Sequence, residues 1–360
     1  MFKKLLLLFT SLTICLLGIL LSQPPSLPTL SLPAPLDITN IPHIVHLTED
    51  NVDLVRGVRG GESLVLYQGD VVTGTLDGYL VGLDPGSLEV KWRVKCPAGH
   101  QGRRCRILGL REVRGELFGV DLSGRLFKFQ SGQFEWLFTS DAAGFFNDLV
   151  VHEDMIYLTD SFTSNDDRKL SMLQRFYSLQ PDGRILSYNI TSRKVSVLAD
   201  KLYIPNGIEL HNNNRSVLVS EGSMYRILEV DIKSGETVRV FSRTLGAVDN
   251  IRRSAGGGYW LGVSTGRTTE HHLSDLLARY PRLRYLLTQH HLSAPLFSLF
   301  PRLLAEQPRF YKADNTGVIS SVVAGDRRVT DTVAFSEVLQ VRGSLFVGSP
   351  FSHLFRVRLE

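Results

Sequence analysis

One phrase recurs six times along this chain and constrains its fold more than any other feature. A short apolar strand with Gly, Ser or Thr near its end is followed by a turn and a second apolar strand. It reads Asp70–Thr75 with Gly78–Leu83, Glu116–Asp121 with Gly124–Phe129, Met155–Asp160 with Gly183–Tyr188, and Ser216–Glu221 with Tyr225–Val230. The two remaining copies are Gly258–Val263 with Gly317–Val322, and Ser344–Ser349 with His353–Arg358. Strand pairs recurring every 40 to 60 residues or so, separated by Gly/Asp turns, are the mark of a propeller rather than a sandwich. The expected fold is therefore all-β, a six-bladed β-propeller over residues 42–360. A stack of hairpins without radial closure would leave every edge unpaired. The last copy lacks an outer strand, so the stretch Ile44–Val58 is expected to supply it and close the ring.

Composition narrows the class further. The 360 residues are 43% hydrophobic and 21% charged with 3 Cys, which excludes a disordered chain, a collagen and a disulfide-stapled miniprotein. Lys and Arg number 40 against 36 Asp and Glu, a net charge of +4 without a basic block, so nucleic acid is not an expected partner. A mean hydropathy of +0.01 excludes a polytopic membrane protein. One end differs from the rest: Lys3 and Lys4 precede the uncharged run Leu5–Leu21, and Pro24 and Pro25 follow it. As a helix the run would span about 26 Å. It reads as a signal-anchor transmembrane helix over residues 1–21, giving a type II protein of the endoplasmic reticulum or plasma membrane. A cleaved signal peptide, leaving a secreted protein, is the alternative. Residues 22–41, with five prolines, read as an extended stalk. Either topology places the body in the secretory lumen or outside the cell.

That compartment suits a disulfide between Cys96 and Cys105, the two cysteines of the body, across a Gly-rich loop. No zinc spacing is present. The sequons at Asn189 and Asn214 fit exposed turns that could carry glycans. Between Gly266 and Pro308 the rhythm breaks: Leu273–Tyr280 and Leu296–Leu304 space apolar residues by three and four, predicting short amphipathic helices inserted in the fifth blade. Such helices could pack on the rim, cover the propeller mouth or touch a membrane.

A propeller builds its site where the innermost strands meet. The equivalent positions, 11 to 14 residues or so before each strand end, read Gly61-Glu62-Ser63, Phe146-Asn147-Asp148, Pro205-Asn206-Gly207, Val248-Asp249-Asn250 and Ser336-Glu337-Val338. The remaining blade offers Arg106-Ile107-Leu108-Gly109. Any one of these is an ordinary turn. Together, Glu62, Asn147, Asn206 and Asp249 form an all-oxygen set of formal charge −2, the chemistry that a hard cation such as Ca²⁺ needs.

These motifs, with Ile204-Pro205-Asn206-Gly207-Ile208, Val248-Asp249-Asn250-Ile251-Arg252 and Gly257-Gly258-Tyr259-Trp260, resemble those of the strictosidine synthase-like family. The resemblance runs from about Pro42 to the end. It implies a six-bladed calcium-binding propeller of the wider group that holds paraoxonases, gluconolactonase and organophosphate hydrolases. The implied calcium ligands are Glu62, Asn147, Asn206 and Asp249, with Asn250 as a further one. The departures bear on activity. Glu337 stands where strictosidine synthases use a glutamate, yet relatives without that activity keep the same phrase, so alkaloid synthesis is not expected. No histidine accompanies Arg106–Gly109, where paraoxonases carry one. The expected activity is calcium-dependent hydrolysis of aryl esters or lactones. Asp249 would serve as nucleophile or base, Arg106 would stabilise negative charge, and Glu337 is a third catalytic candidate. The other reading is a calcium-stabilised, non-catalytic propeller that binds a protein partner.

Overall fold

The computed structural model describes Gly18 and residues 27–37, 40–98, 104–140, 144–163, 171–244, 246–267, 272–289, 308–325, 327–330, 332 and 334–359. The chain divides into two compact units. The larger one comprises Pro35–Asn165, Pro181–Thr268 and Ala305–Glu360, and it holds six four-stranded antiparallel sheets.

Strand β1 (Val52–Arg59) belongs to the last sheet, and the others follow in chain order. Blade one is β2 (Leu64–Tyr67), β3 (Asp70–Gly74), β4 (Tyr79–Leu83) and β5 (Val90–Lys95). Blade two is β6 (Ile107–Val113), β7 (Glu116–Asp121), β8 (Arg125–Gln130) and β9 (Gln133–Thr139). Blade three is β10 (Phe146–His152), β11 (Met155–Asp160), β12 (Gly183–Asn189) and β13 (Val195–Leu202). Blade four is β14 (Pro205–His211), β15 (Ser216–Glu221), β16 (Arg226–Asp231) and β17 (Thr237–Arg243). Blade five is β18 (Gly246–Arg253), β19 (Tyr259–Gly266), β20 (Arg309–Ala313) and β21 (Ile319–Ala324). Blade six is β22 (Val338–Val341), β23 (Ser344–Val347) and β24 (His353–Arg358), completed by β1.

The expected closure is present. β1 pairs antiparallel with β24, Val52 opposite Val357 and Leu54 opposite Phe355, so the first strand among the described residues is the outer strand of the last blade. This removes the edge that β24 would otherwise present. Upstream, His43 bridges Val322 on β21.

Burial explains why the repeat is readable. β3 and β15 are buried along their whole length, whereas the outer strand β17 is mostly exposed. A strand covered on both faces by neighbouring blades reads as a continuous apolar run rather than an alternation. Each blade-to-blade interface has its own apolar core. Phe118, Val120 and Leu126 of blade two pack with Leu149, Leu158 and Leu186 of blade three. Val55, Phe346 and Leu354 of blade six pack with Leu64, Val71 and Val81 of blade one. Polar groups repeat as well. The last residue of the second strand pairs with the first Arg of the third in three consecutive blades: Asp121 with Arg125, Asp160 with Arg184 and Glu221 with Arg226.

Two sequence expectations change here. In blade five the third strand is Arg309–Ala313, and the stretch Gly317–Val322 read as its repeat partner instead contributes the outer strand β21. Gly317 to Val322 carries the stronger apolar phrase, while Arg309 and Lys312 mask the alternation in β20. The described helical part of the insert is α2 (Leu273–Arg279) and α3 (Pro281–Gln289), so a second helix starts directly after Tyr280; the one expected at 296–304 lies outside the described residues.

The smaller unit takes in Met1–Ala34, Asp166–Gln180 and Thr269–Leu304. It includes α1 (Met172–Ser178), from a blade-three insertion that the sequence pattern did not reveal, although a capping box marks its start: Ser171 Oγ accepts from Gln174 N, and Gln174 Oε1 accepts from Ser171 N. Tyr177 and Leu277 centre a small apolar cluster with Leu173, Phe176, Leu283 and Leu287. The Pro-rich segment belongs to this unit: Leu30 N donates to Ala278 O at 3.0 Å, and Arg284 donates to Pro28 O at 2.6 Å. The apolar run Leu5–Leu21 lies, Gly18 apart, outside the described residues, and among those described no helix is long and apolar enough to cross a membrane. Cys96 and Cys105 form a disulfide. Asn189 ends β12, and Asn214 lies in the turn between β14 and β15.

Candidate metal centre

The innermost strands β2, β6, β10, β14 and β22 begin at or just after the residues singled out in sequence, and β18 begins two residues before Val248. In β6 the ladder slips between Ile107 and Gly109, and in three other strands it slips at the axial polar residues. Register is lost between Phe146 and Leu149 on β10, between Pro205 and Ile208 on β14, and between Val248 and Ile251 on β18. Such bulges release a residue pair from the ladder and re-aim its side chains. The pairs released are Asn147-Asp148, Asn206-Gly207 and Asp249-Asn250.

Gly207 has a steric reason to be glycine. A Cβ there would lie 2.5 Å from the Asp249 carbonyl oxygen and 2.6 Å from Asn250 Cα. Its absence lets β14 approach β18 closely, which brings the Asn206 amide near enough to the Asp249 carboxylate to favour its charged form. Gly207→Ala is therefore expected to cost about 1–3 kcal/mol of stability and to weaken ion uptake. A melting curve with a calcium titration checks this, and no change in either would mean that the close approach is not what places Asn206.

The oxygen donors are buried and under-used. Glu62, Asn147 and Asp249 are buried, and Asn250 has no exposed surface. Asn147 Oδ1, Asn206 Oδ1, Asp249 Oδ1 and Asn250 Oδ1 are all buried without a hydrogen-bond partner. Buried acceptors in this state cost free energy unless something satisfies them, and four from the inner strands of three successive blades point to a ligand. Burial drives the Asp249 carboxyl well above the usual carboxylate range, and repulsion from Glu62 adds to it, against the Asn206 hydrogen bond and Arg106. Glu62 is likewise raised by burial, opposed by Arg106. Two acids held together in this way ask for a cation. Two carboxylates and three amide oxygens are hard donors, suited to Ca²⁺ and its tolerance of irregular geometry. Among the described residues, the other metal-like grouping is Cys96, Cys105 and Asp121, whose sulfurs are bonded to each other.

The remaining candidates fall around this set. Arg106 faces it: Nη2 donates to Glu62 Oε2 at 3.1 Å and to Pro350 O at 2.6 Å. Glu337 is fully buried; its Oε1 accepts from Leu64 N at 2.9 Å, its Oε2 is paired with Arg252, and burial pushes its carboxyl up to about 7. Its partners come two residues after Glu62 and three after Asp249, one layer further along the inner strands. Asp148, Arg111, Arg252 and Ser63, which form that layer, were not marked as functional by sequence reasoning. Asp148, Ser63 and Arg252 sit inside the quoted motifs, while Arg111 carries no sequence signal.

Fold and donor set together define a class, the six-bladed propeller with an oxygen-lined axis. A gluconolactonase from Xanthomonas campestris superposes with a TM-score of 0.57 at 16% identity, over 94% of this chain and 99% of that one. A calcium-binding protein, regucalcin, from Agrobacterium tumefaciens gives 0.55 at 13% identity, over 88% and 95%. At such identities the likeness is one of fold. In sequence, residues 147–234 match the strictosidine synthase family. The adipocyte plasma membrane-associated protein of Homo sapiens is 31% identical over 99% of this chain and 89% of its own length. Strictosidine synthase-like 3 of Arabidopsis thaliana is 30% identical over 68% of this chain and 64% of its own. The chain belongs to the strictosidine synthase-like family.

Proposed function

We propose that this protein is a calcium-dependent hydrolase of aryl esters or lactones, held at a membrane by its N-terminal apolar run with the propeller lumenal or extracellular. The observation that carries the reading is the set of four buried side-chain oxygens without partners, on Asn147, Asn206, Asp249 and Asn250, beside the Glu62 carboxylate. The gluconolactonase and calcium-binding relatives in fold support it. Glu62 and Asp249 supply the negative charge of the site, and the three asparagines supply neutral oxygens. A calcium ion held by Glu62, Asn147, Asn206, Asp249 and Asn250 would supply Lewis-acid polarisation of a substrate carbonyl. The Asp249 carboxylate, through the oxygen not given to the ion, takes the proton of an attacking water, with Asn206 beside it. Arg106, part-buried beside Glu62, offsets negative charge that develops as the carbonyl is attacked. In the same topology Asn189 and Asn214 would carry glycans.

A panel of aryl esters and lactones, assayed with calcium and with chelator, tests this. Turnover in calcium is expected to fall by at least about 100-fold in chelator, consistent with loss of an electrophilic group. Full activity in chelator would exclude calcium-assisted chemistry. Calcium that raises the melting temperature without turnover on any substrate would point to the binding-protein reading instead.

A further inference from the structure

Below the axial oxygens every blade contributes to one buried polar network. Arg252 of blade five donates through Nη1 to Asp148 Oδ2 at 2.9 Å, and through Nη2 to Asp148 Oδ1 at 3.2 Å and Ser63 Oγ at 3.0 Å. It is also paired with Glu337 of blade six. Arg111 of blade two grips the same carboxylate, Nη1 to Oδ1 at 3.1 Å and Nη2 to Oδ2 at 3.2 Å, and donates to Ile208 O of blade four at 2.8 Å. Ile208 N donates to Asp148 Oδ2 at 3.0 Å, and Leu110 N donates to Ser63 Oγ at 3.1 Å. Asp148 and Glu337 are fully buried.

Several of these bonds join blades that are not neighbours: five to three, five to one, two to four. A contact between adjacent blades only glues an interface, but a bond across the ring also sets its width. The members lie close in sequence to the axial oxygens: Ser63 follows Glu62, Asp148 follows Asn147, Ile208 is two residues after Asn206, and Arg252 is three after Asp249. The spacing of the oxygens is thus tied to the two guanidinium forks on Asp148.

We propose that Arg252 is a positioning residue for the axial oxygens, the centre of a six-blade clamp that holds them pre-shaped for a divalent cation. The inference rests on reading those oxygens as an ion site. Outer groups that orient ligands typically change metal affinity by about 10–100-fold when removed, and a lysine cannot reproduce the two-pronged grip.

The test is calorimetric titration of the metal-free full chain with calcium chloride, well below its melting temperature. Arg252→Met is expected to weaken affinity by about 10–100-fold, and Arg252→Lys and Ser63→Ala by smaller amounts in the same direction. Arg356→Met is the control for general destabilisation, since Arg356 ties β24 to Asp53 of β1 at 2.7 Å, away from the inner strands. It should lower the melting temperature and leave affinity unchanged. If Arg252→Met does not fold, the Lys and Ser63 variants decide. Wild-type affinity in those two variants, or an equal loss in Arg356→Met, overturns the proposal. Absence of calcium uptake by the wild-type chain overturns the ion-site reading and this inference with it, whereas uptake that the variants leave untouched overturns the inference alone.

Discussion

Metal-free Asp249→Asn protein is expected to melt above the wild type at pH 8 and below it once calcium is added. The sign follows from the buried pair of acids. In the folded metal-free protein the Asp249 carboxyl, with Glu62 beside it, is raised well above its unfolded value. At pH values below the unfolded carboxylate range, about 4, both states hold the proton and nothing is lost. As pH rises from there to the folded value, the unfolded chain has released a proton that the folded one still holds, so stability falls with pH. Above the folded value the full cost of the buried charge is present. An amide at position 249 escapes that cost, so the gap between variant and wild type opens as pH rises and closes toward pH 4–5 or so. Carboxylates elsewhere are common to both proteins and cancel in the difference.

The expected size is on the order of 1–3 kcal/mol, the cost of an uncompensated buried polar group, which is a shift of several degrees for a chain of this length. Calcium reverses the order. On the proposed ion-site reading it would bind the ionised carboxylates, displace their proton, and at a hundred times its Kd add about 2.7 kcal/mol to the wild type. The variant is expected to lose most of this, together with the proposed hydrolytic turnover. Melting curves from pH 5 to 8 or so, with chelator and with calcium, read both effects. A variant that is less stable than the wild type at every pH in chelator would show that the carboxylate is not under electrostatic strain.

Val55→Asp is expected to prevent folding altogether, whereas Leu54→Asp on the same strand should be tolerated. Val55 is fully buried in the core between blades six and one, packed with Val58, Leu64, Val71, Phe346 and Leu354. A carboxylate there would be buried without a partner, at a cost above about 4 kcal/mol, in the one strand that closes the ring. Leu54 points the other way and is 36% exposed. Expression followed by circular dichroism and limited proteolysis separates the two. A Val55→Asp protein that folds and melts like the wild type would mean that closure by β1 contributes little to stability.

The repeat was legible because each blade buries its middle strands on both faces, and a continuously buried strand writes itself as a local apolar phrase. Closure was legible for a related reason, since the last copy lacked an outer strand and the stretch Ile44–Val58, within which β1 begins at Val52, was available to supply it. Blade five differs from its sequence reading where charged residues interrupt β20, and the helix of the blade-three insertion is hidden in sequence because about two turns, seven residues, carry too short a period to stand out.

The axial oxygens could be found from sequence since they recur at one phase of the repeat, which is a local property counted along the chain. Their neighbours could not. Arg252 meets Asp148 across 104 residues and Ser63 across 189, and Arg111 meets Ile208 across 97. Nothing in the local pattern distinguishes an arginine that forks onto a buried carboxylate from one that faces solvent. The same holds for Glu337, whose position suggested chemistry and whose side chain is committed to Arg252 and Leu64 N. By itself, then, the sequence determined the number of blades, the way the ring closes and the phase at which polar groups approach the axis. Only the tertiary structure decided which of those groups are left with free oxygens and which are tied together, because that depends on the distance between strands brought together from opposite sides of the ring.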